Sequence, residues 1–412
     1  MRQSTRKAAE LLALSQYDHT SSRTPSAQYI YLQALILMAL ESDNHGPATM
    51  RGQVGPPRAE WLGRAVGMAA HLKLNIPRAS YKIAEDEADS DENLGRRIWW
   101  ILFILDRWHA SSTSCLLQLA DSSSPLLPED KLLLGDSTYH LARLSFILGH
   151  VCQIQQSSLL SPPSSTNPPI STTIFSEIES FRESVEALLL AAPNLVHLCY
   201  WHVRLLVLRL TPATTPEELL TPATRMASIL NSSHTMITPL NHHFAALSAM
   251  TLCELYDLEE TRSRAEAGIK DLVEALGSHR GLMSKENSTG WDGAITELVT
   301  GKFRQVGGAA TTSRLASTRS QDGEHSGEYL TGTGAGLVGL QHLADAATAG
   351  KRSLTSGPQN GAEERGYGRM PPQHGMPGRP AGSTTAAYNP EAVVRFGYLA
   401  ALVNEDGAQT RL

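Results

Sequence analysis

Between Thr24 and Leu276 the apolar positions recur at helical spacing and only rarely at the alternation of a strand. Thr24-Pro25 supplies an N-cap with proline at the first helical position, and the apolar run that follows predicts a helix over 25–40. Ala65, Val66, Met68, Ala69 and Leu72 form a stripe on a second helix. Residues 98–105 are apolar without a break, so a helix there is greasy all round and has to lie deep among others. Charges bracket it: Arg96 and Arg97 on one side, Asp106 and Arg107 on the other, where guanidinium forks can bind carboxylates or free backbone carbonyls at the edge of a core. The acidic run 85–92 comes just before and sets carboxylates near a helix N-terminus, where the helix dipole favours them. Further helical patterns cover 137–154, 175–190, 195–210, 221–230 (with Pro222 at its start), 242–258 and 262–276.

The pattern then stops. From 301 to 387 Gly, Ser, Thr and Ala crowd out large apolar residues, which predicts a disordered, low-complexity stretch. An amphipathic segment returns over 390–403, with Val393, Phe396, Leu399, Ala400 and Val403 on one side. It could dock back on the body or present a helix to a partner. The expected organisation is therefore all-α: a multi-helix bundle over 1–300, a disordered region over 301–387 and a C-terminal amphipathic helix over 388–412.

Composition narrows the function classes. With 412 residues, 41% of them hydrophobic, the chain can bury one large core or two smaller ones. Its net charge is −6 and no Lys/Arg cluster occurs, so the counterion release that drives duplex binding has no obvious source here. Cys115, Cys152, Cys199 and Cys253 are far apart, unlike a disulfide framework or a zinc module, and read as buried thiols in a reducing compartment. The apolar run 29–40 is interrupted by Gln33 and falls short of the about 20 residues that cross a bilayer, so no membrane partner is expected. Arg2, Arg6 and Lys7 among serines resemble a transit peptide, but Glu10 and the brevity of 8–14 oppose that reading.

Several apparent chemical motifs lack context. Gly334, Gly336 and Gly339 fit a dinucleotide fingerprint but follow no buried strand. The acidic residues 86–89 are similar to one metal box of a helical prenyl-transfer enzyme, and the second box is missing. Cys199 with His202, and His242-His243 ahead of Cys253 and Glu254, leave a four-ligand zinc set incomplete and read as core or surface histidines. No catalytic, cofactor-binding or metal-ligating residue is expected, and no cofactor within this chain.

The block Arg96-Arg97-Ile98-Trp99-Trp100, followed by Asp106-Arg107-Trp108, resembles the signature of the middle homology region of fungal zinc-cluster transcription factors. Arg64 to Asn75 is similar to the family's Ala-Val-x-Met-Ala segment, with Lys73 where glycine is usual. Gln33 to Met38 is similar to its opening helix, and Pro239 to Leu247 resembles a carbon- or nutrient-responsive subgroup. After Trp108 this chain has Ser111-Ser112-Thr113-Ser114-Cys115 where members often carry Gly-Arg-Pro. The resemblance covers about 25–300 and makes Arg96, Arg97, Trp99, Trp100, Asp106, Arg107 and Trp108 its structural and regulatory signature.

It implies the regulatory domain of a nuclear, non-enzymatic transcription factor that dimerises or joins other factors and responds to a small-molecule effector. DNA contact would come from a six-cysteine module holding two zinc ions, absent from this chain, and zinc is expected only there. The opening Arg2-Gln3-Ser4-Thr5-Arg6-Lys7 reads like the middle of a protein, so the expectation is a sequence beginning downstream of that module. The alternatives are an adaptor without DNA binding and a helical enzyme using the acidic run to hold a metal.

Overall fold

The computed structural model describes residues 6–12, 24–50, 55–76, 90–160, 168–189, 195–211, 214–232, 237–277, 290–303 and 396–404, and every regular element among them is helical. After a short helical stretch at 6–12, the helices are α1 (Pro25–Asn44), α2 (Arg58–His71), α3 (Asp91–Thr113), α4 (Asp130–Leu160), α5 (Pro168–Ser184), α6 (Leu195–Arg209), α7 (Pro216–Asn231), α8 (Asn241–Leu255), α9 (Arg262–Gly277), α10 over 291–303 and α11 (Tyr398–Asn404). Single turns occur at Pro47–Met50, Asp121–Ser123 and Glu186–Leu189. The acidic residues 85–89, the glycine fingerprint at 334–339 and the expected disorder over 304–387 lie outside the described residues.

Local chemistry sets the helix starts. The Thr24 side chain accepts from the Ala27 amide at 3.3 Å with Pro25 behind it. Ser90 does the same for Asn93, with Asp91 and Glu92 in the first turn of α3. At α7 the sequence placed the start at 221 with Pro222, but the helix begins at Pro216. A reciprocal capping box between Thr215 and Glu218 fixes that start and leaves Pro222 inside. α4 begins at Asp130 rather than 137, but Gly135 (φ 74°, ψ 163°) breaks its regular geometry, so the run beyond the kink is close to the predicted one.

Packing brings the N-terminal helices together around α3, which touches α1, α2, α4 and α11. α4 then meets α6, and α7 packs on α6, α8 and α9. The core runs through Leu32 and Leu35 of α1, Trp61 and Leu62 of α2, Trp100, Leu102 and Phe103 of α3, Leu205 of α6, and Phe244 and Leu247 of α8. Burying each large side chain contributes roughly 1.5–3 kcal/mol. α3 is not uniformly enclosed: Ile101 is 38% exposed in the middle of its apolar run.

Three expectations change here. The ordered region does not close at Leu276 or stop at residue 300, because α10 follows and runs to 303. Its Trp291, Ile295 and Val299 are buried at i, i+4, i+8, and Phe303 meets Tyr256 at 5.2 Å. The predicted C-terminal stripe is only partly right: Leu399 and Val403 of α11 are buried, and so is Tyr398, but Phe396 just before the helix is 45% exposed, and Val393 lies outside the described residues. Cys115 is exposed, whereas Cys152, Cys199 and Cys253 are buried, and none forms a disulfide.

Two glycines allow close approaches. A Cβ on Gly397 (φ +82°) would lie 2.4 Å from the Ser112 backbone, where α11 sits on the end of α3. A Cβ on Gly46 (φ +62°) would lie 2.8 Å from Gly290, where α10 begins beside the end of α1.

Candidate functional site

Arg96, Trp100, Phe103 and Arg107 recur at intervals of three and four along α3 and share its face toward α4. Arg96 is buried and grips Asp130 with both forks, Nε to Oδ1 at 2.9 Å and Nη2 to Oδ2 at 2.8 Å. It also donates to the Pro125 carbonyl at 2.6 Å and to the Ser124 hydroxyl, and its guanidinium lies 4.9 Å from the Trp100 ring centre. Trp100 packs edge-on to Phe103 at 5.2 Å, and Phe146 of α4 completes the aromatic set.

Arg107 is fully buried. Its Nη2 donates to the Leu119 carbonyl and to Asp121 Oδ1, both at 2.7 Å, its Nη1 to Asp106 at 3.0 Å, and its guanidinium lies 3.4 Å from the centre of the Phe103 ring. Asp106 accepts from the Gln118 and Leu119 amides, each at 3.1 Å. Burial raises the Asp106 pKa, opposed by those amides and by Arg107. Arg96, Asp106 and Arg107 thus sit inside the core rather than at its edge, where they brace the segment joining α3 to α4. Arg97 is half-buried and donates to the Leu133 carbonyl at 3.3 Å, and Trp99 is buried.

Trp108 faces a different environment. Its ring lies 4.8 Å from His202 and 5.5 Å from both His243 and Phe244, and all four side chains are fully buried. Around it gather Asp43 from α1, Arg58 from α2, His109 from α3, His242 from α8, Trp291 from α10 and Tyr398 from α11. Arg58 forms an ion pair with Asp43, reaches the Leu105 carbonyl at 3.3 Å and lies 3.5 Å from His243 Nε2. His243 Nδ1 meets the Tyr398 hydroxyl at 2.7 Å, and His242 stacks on Trp291 at 5.6 Å.

Burial holds these imidazoles neutral. His109 is driven down to about 3 by desolvation and then by Arg58, and His202 to about 3 by desolvation alone. His242 and His243 are pushed well below the usual histidine range, first by burial and then, for His242, by the Arg58 guanidinium and, for His243, by His242 and Arg58. Asp43 moves the other way, up to about 6, because burial outweighs the attraction of Arg58. Among the described residues, His202, His242 Nε2, His109 Nε2 and the indole nitrogens of Trp108 and Trp291 find no hydrogen-bond partner.

The sequence singled out Trp108, His202, His242 and His243 separately and took the histidines as ordinary. It missed Asp43, Arg58, His109, Trp291 and Tyr398. Only the His242-His243 doublet gave a local signal, since the rest come from six other helices. Cys199 and Cys253 lie apart as buried thiols, and burial raises the Cys199 pKa well above its ordinary value.

Residues 2–180 match the fungal specific transcription factor domain. Over 280 residues the chain is 38% identical to an uncharacterized transcriptional regulatory protein of Schizosaccharomyces pombe, an alignment that covers 68% of this chain and 32% of that protein. The chain thus spans about a third of the length of that relative. No solved structure matches. The matched domain holds the whole Arg96–Trp108 signature together with Asp43, Arg58 and His109, whereas His202, His242 and His243 lie beyond it.

Proposed function

From a chain that carries a fungal specific transcription factor domain over residues 2–180, we propose a nuclear, non-enzymatic regulator of transcription in which this helical bundle is the regulatory body. DNA contact belongs to a separate zinc module. The observation that carries this reading is where the signature arginines point: Arg96 and Arg107 are buried and committed to Asp130, Asp106, Asp121 and internal carbonyls, so neither can reach a phosphate. The net charge of −6 agrees, since binding to a polyanion needs clustered surface cations.

The regulated genes are those of nutrient or carbon metabolism, a choice supported by the likeness of residues 239–247 to that subgroup. The bundle works as a dimer or with other transcription factors, and a ligand or partner shifts its helix packing. Fusing the chain to an unrelated DNA-binding domain at a reporter promoter tests the reading. Reporter output should change, and Trp108→Ala should abolish the change at equal protein level. A reporter that ignores the tethered chain would overturn the proposal.

A further inference from the structure

We propose that Asp43, His242 and His243 form a binding site for a divalent transition-metal ion, with zinc the first candidate and Arg58 its built-in competitor. One ligand atom from each residue can be chosen so that all three lie within 4.8 Å of one another. His242 Nε2 is 4.0 Å from Asp43 Oδ2, in a fully buried side chain, and finds no hydrogen-bond partner among the described residues. His243 already has the support expected of a metal ligand. Its Nδ1 meets the Tyr398 hydroxyl at 2.7 Å, which fixes the ring and leaves Nε2 beside Arg58, the partner of Asp43. The rings are neutral, as ligation requires.

Two imidazoles and a carboxylate suit zinc and its neighbours rather than magnesium or calcium. With bonds of roughly 2.0–2.2 Å the ligand atoms sit about 3.3 Å apart, so the triad has to close by about 1.5 Å at its widest, within reach of side-chain rotation.

Arg58 shows that a cation belongs at this place. Its Nη1 pairs with Asp43 and lies 3.5 Å from His243 Nε2, between two of the three ligands. A guanidinium and a divalent ion repel at this range inside a core, so the seat holds one or the other. On metal entry Arg58 withdraws onto the Leu105 carbonyl, to which Nη2 already donates at 3.3 Å. The exchange ties the end of α1 to the start of α8. Through Tyr398 it also bears on α11, so metal occupancy is coupled to the docking of the C-terminal helix.

The test is titration of the chelator-treated full chain, carrying Cys115→Ser to remove the exposed thiol, with cobalt(II) and with zinc(II). The expected result is one equivalent of cobalt with visible d–d absorption and no thiolate charge-transfer band, displaced by zinc, together with a rise in Tm. Asp43→Asn should lose that equivalent. Arg58→Met should bind cobalt tighter by on the order of tenfold or more, because the competing charge is gone. If either variant fails to fold, His242→Gln and the spectrum of the parent chain decide the matter. An absent d–d spectrum, a thiolate band, or a cobalt equivalent that survives in Asp43→Asn and His242→Gln would overturn the site.

Discussion

Two clusters along the signature helix bury polar groups in opposite ways. At Arg96 and at Asp106-Arg107 the charges are met by carboxylates, amides and carbonyls at 2.6–3.1 Å. On the very next residue, Trp108 stands among histidines and a second indole, Trp291, of which several nitrogens find no partner among the described residues. A network held by ion pairs fixes one arrangement and is costly to disturb, even though Arg107 Nε and the Trp100 indole nitrogen find no partner among the described residues. A buried polar cluster built on open valences instead gains from anything that fills them. The first region therefore holds the bundle in shape. The second is where a ligand, a proton or an ion can bias it.

Breaking the ion-pair network should give the largest effect. Arg107→Ala removes the counter-ion of the buried Asp106 carboxylate and the donor to the Leu119 carbonyl, and Arg96→Ala removes the counter-ion of Asp130, so each should cost about 3–5 kcal/mol in urea unfolding. Trp108→Ala should fall in the same range through the cavity it leaves. A loss under 1 kcal/mol for Arg107→Ala would mean that the brace is ornamental.

The histidine cluster should announce itself through pH. The unfolded chain takes up protons near pH 6.5, whereas His109 and His202 in the fold resist until about 3. Each therefore contributes stability that is present above 6.5 and lost as pH falls, by up to about 1.4 kcal/mol per pH unit. Asp43 opposes them, since its folded pKa of about 6 lies above its ordinary value, and its contribution weakens as pH rises through that window. Histidines outnumber it, so urea midpoints should drop steeply between pH 6.5 and 4.5. His202→Leu should stay within about 1.5 kcal/mol of the parent at pH 7.5 and flatten the acid limb. An unchanged limb would remove His202 from the cluster's titration.

Smaller effects sharpen the contrast. Gly397→Ala puts a methyl against the Ser112 backbone at a positive φ, so it should release α11 and expose the 398–404 amides to hydrogen exchange while the rest of the bundle holds. Arg97→Ala removes the donor to the Leu133 carbonyl from a half-buried side chain and should cost under about 1 kcal/mol.

What the sequence revealed follows the same divide. The all-helical class, the buried depth of α3 and the partners its arginines would seek were legible because they depend on a local period and on charges flanking an apolar run. The histidine cluster was not. Asp43, Arg58, His202, His242 and Tyr398 lie up to hundreds of residues apart, and each alone is an ordinary side chain. α10 was overlooked for a related reason, since its stripe of Trp291, Ile295 and Val299 is short and bordered by polar, glycine-containing sequence.

The central claim is that the signature arginines hold this bundle together and leave DNA to another module. Titration of the purified chain into fluorescent duplex of mixed sequence at low salt tests it directly. The account predicts flat anisotropy up to protein concentrations at which basic domains saturate. Salt-sensitive binding that Arg96→Ala weakens, in a variant shown to remain folded, would contradict it.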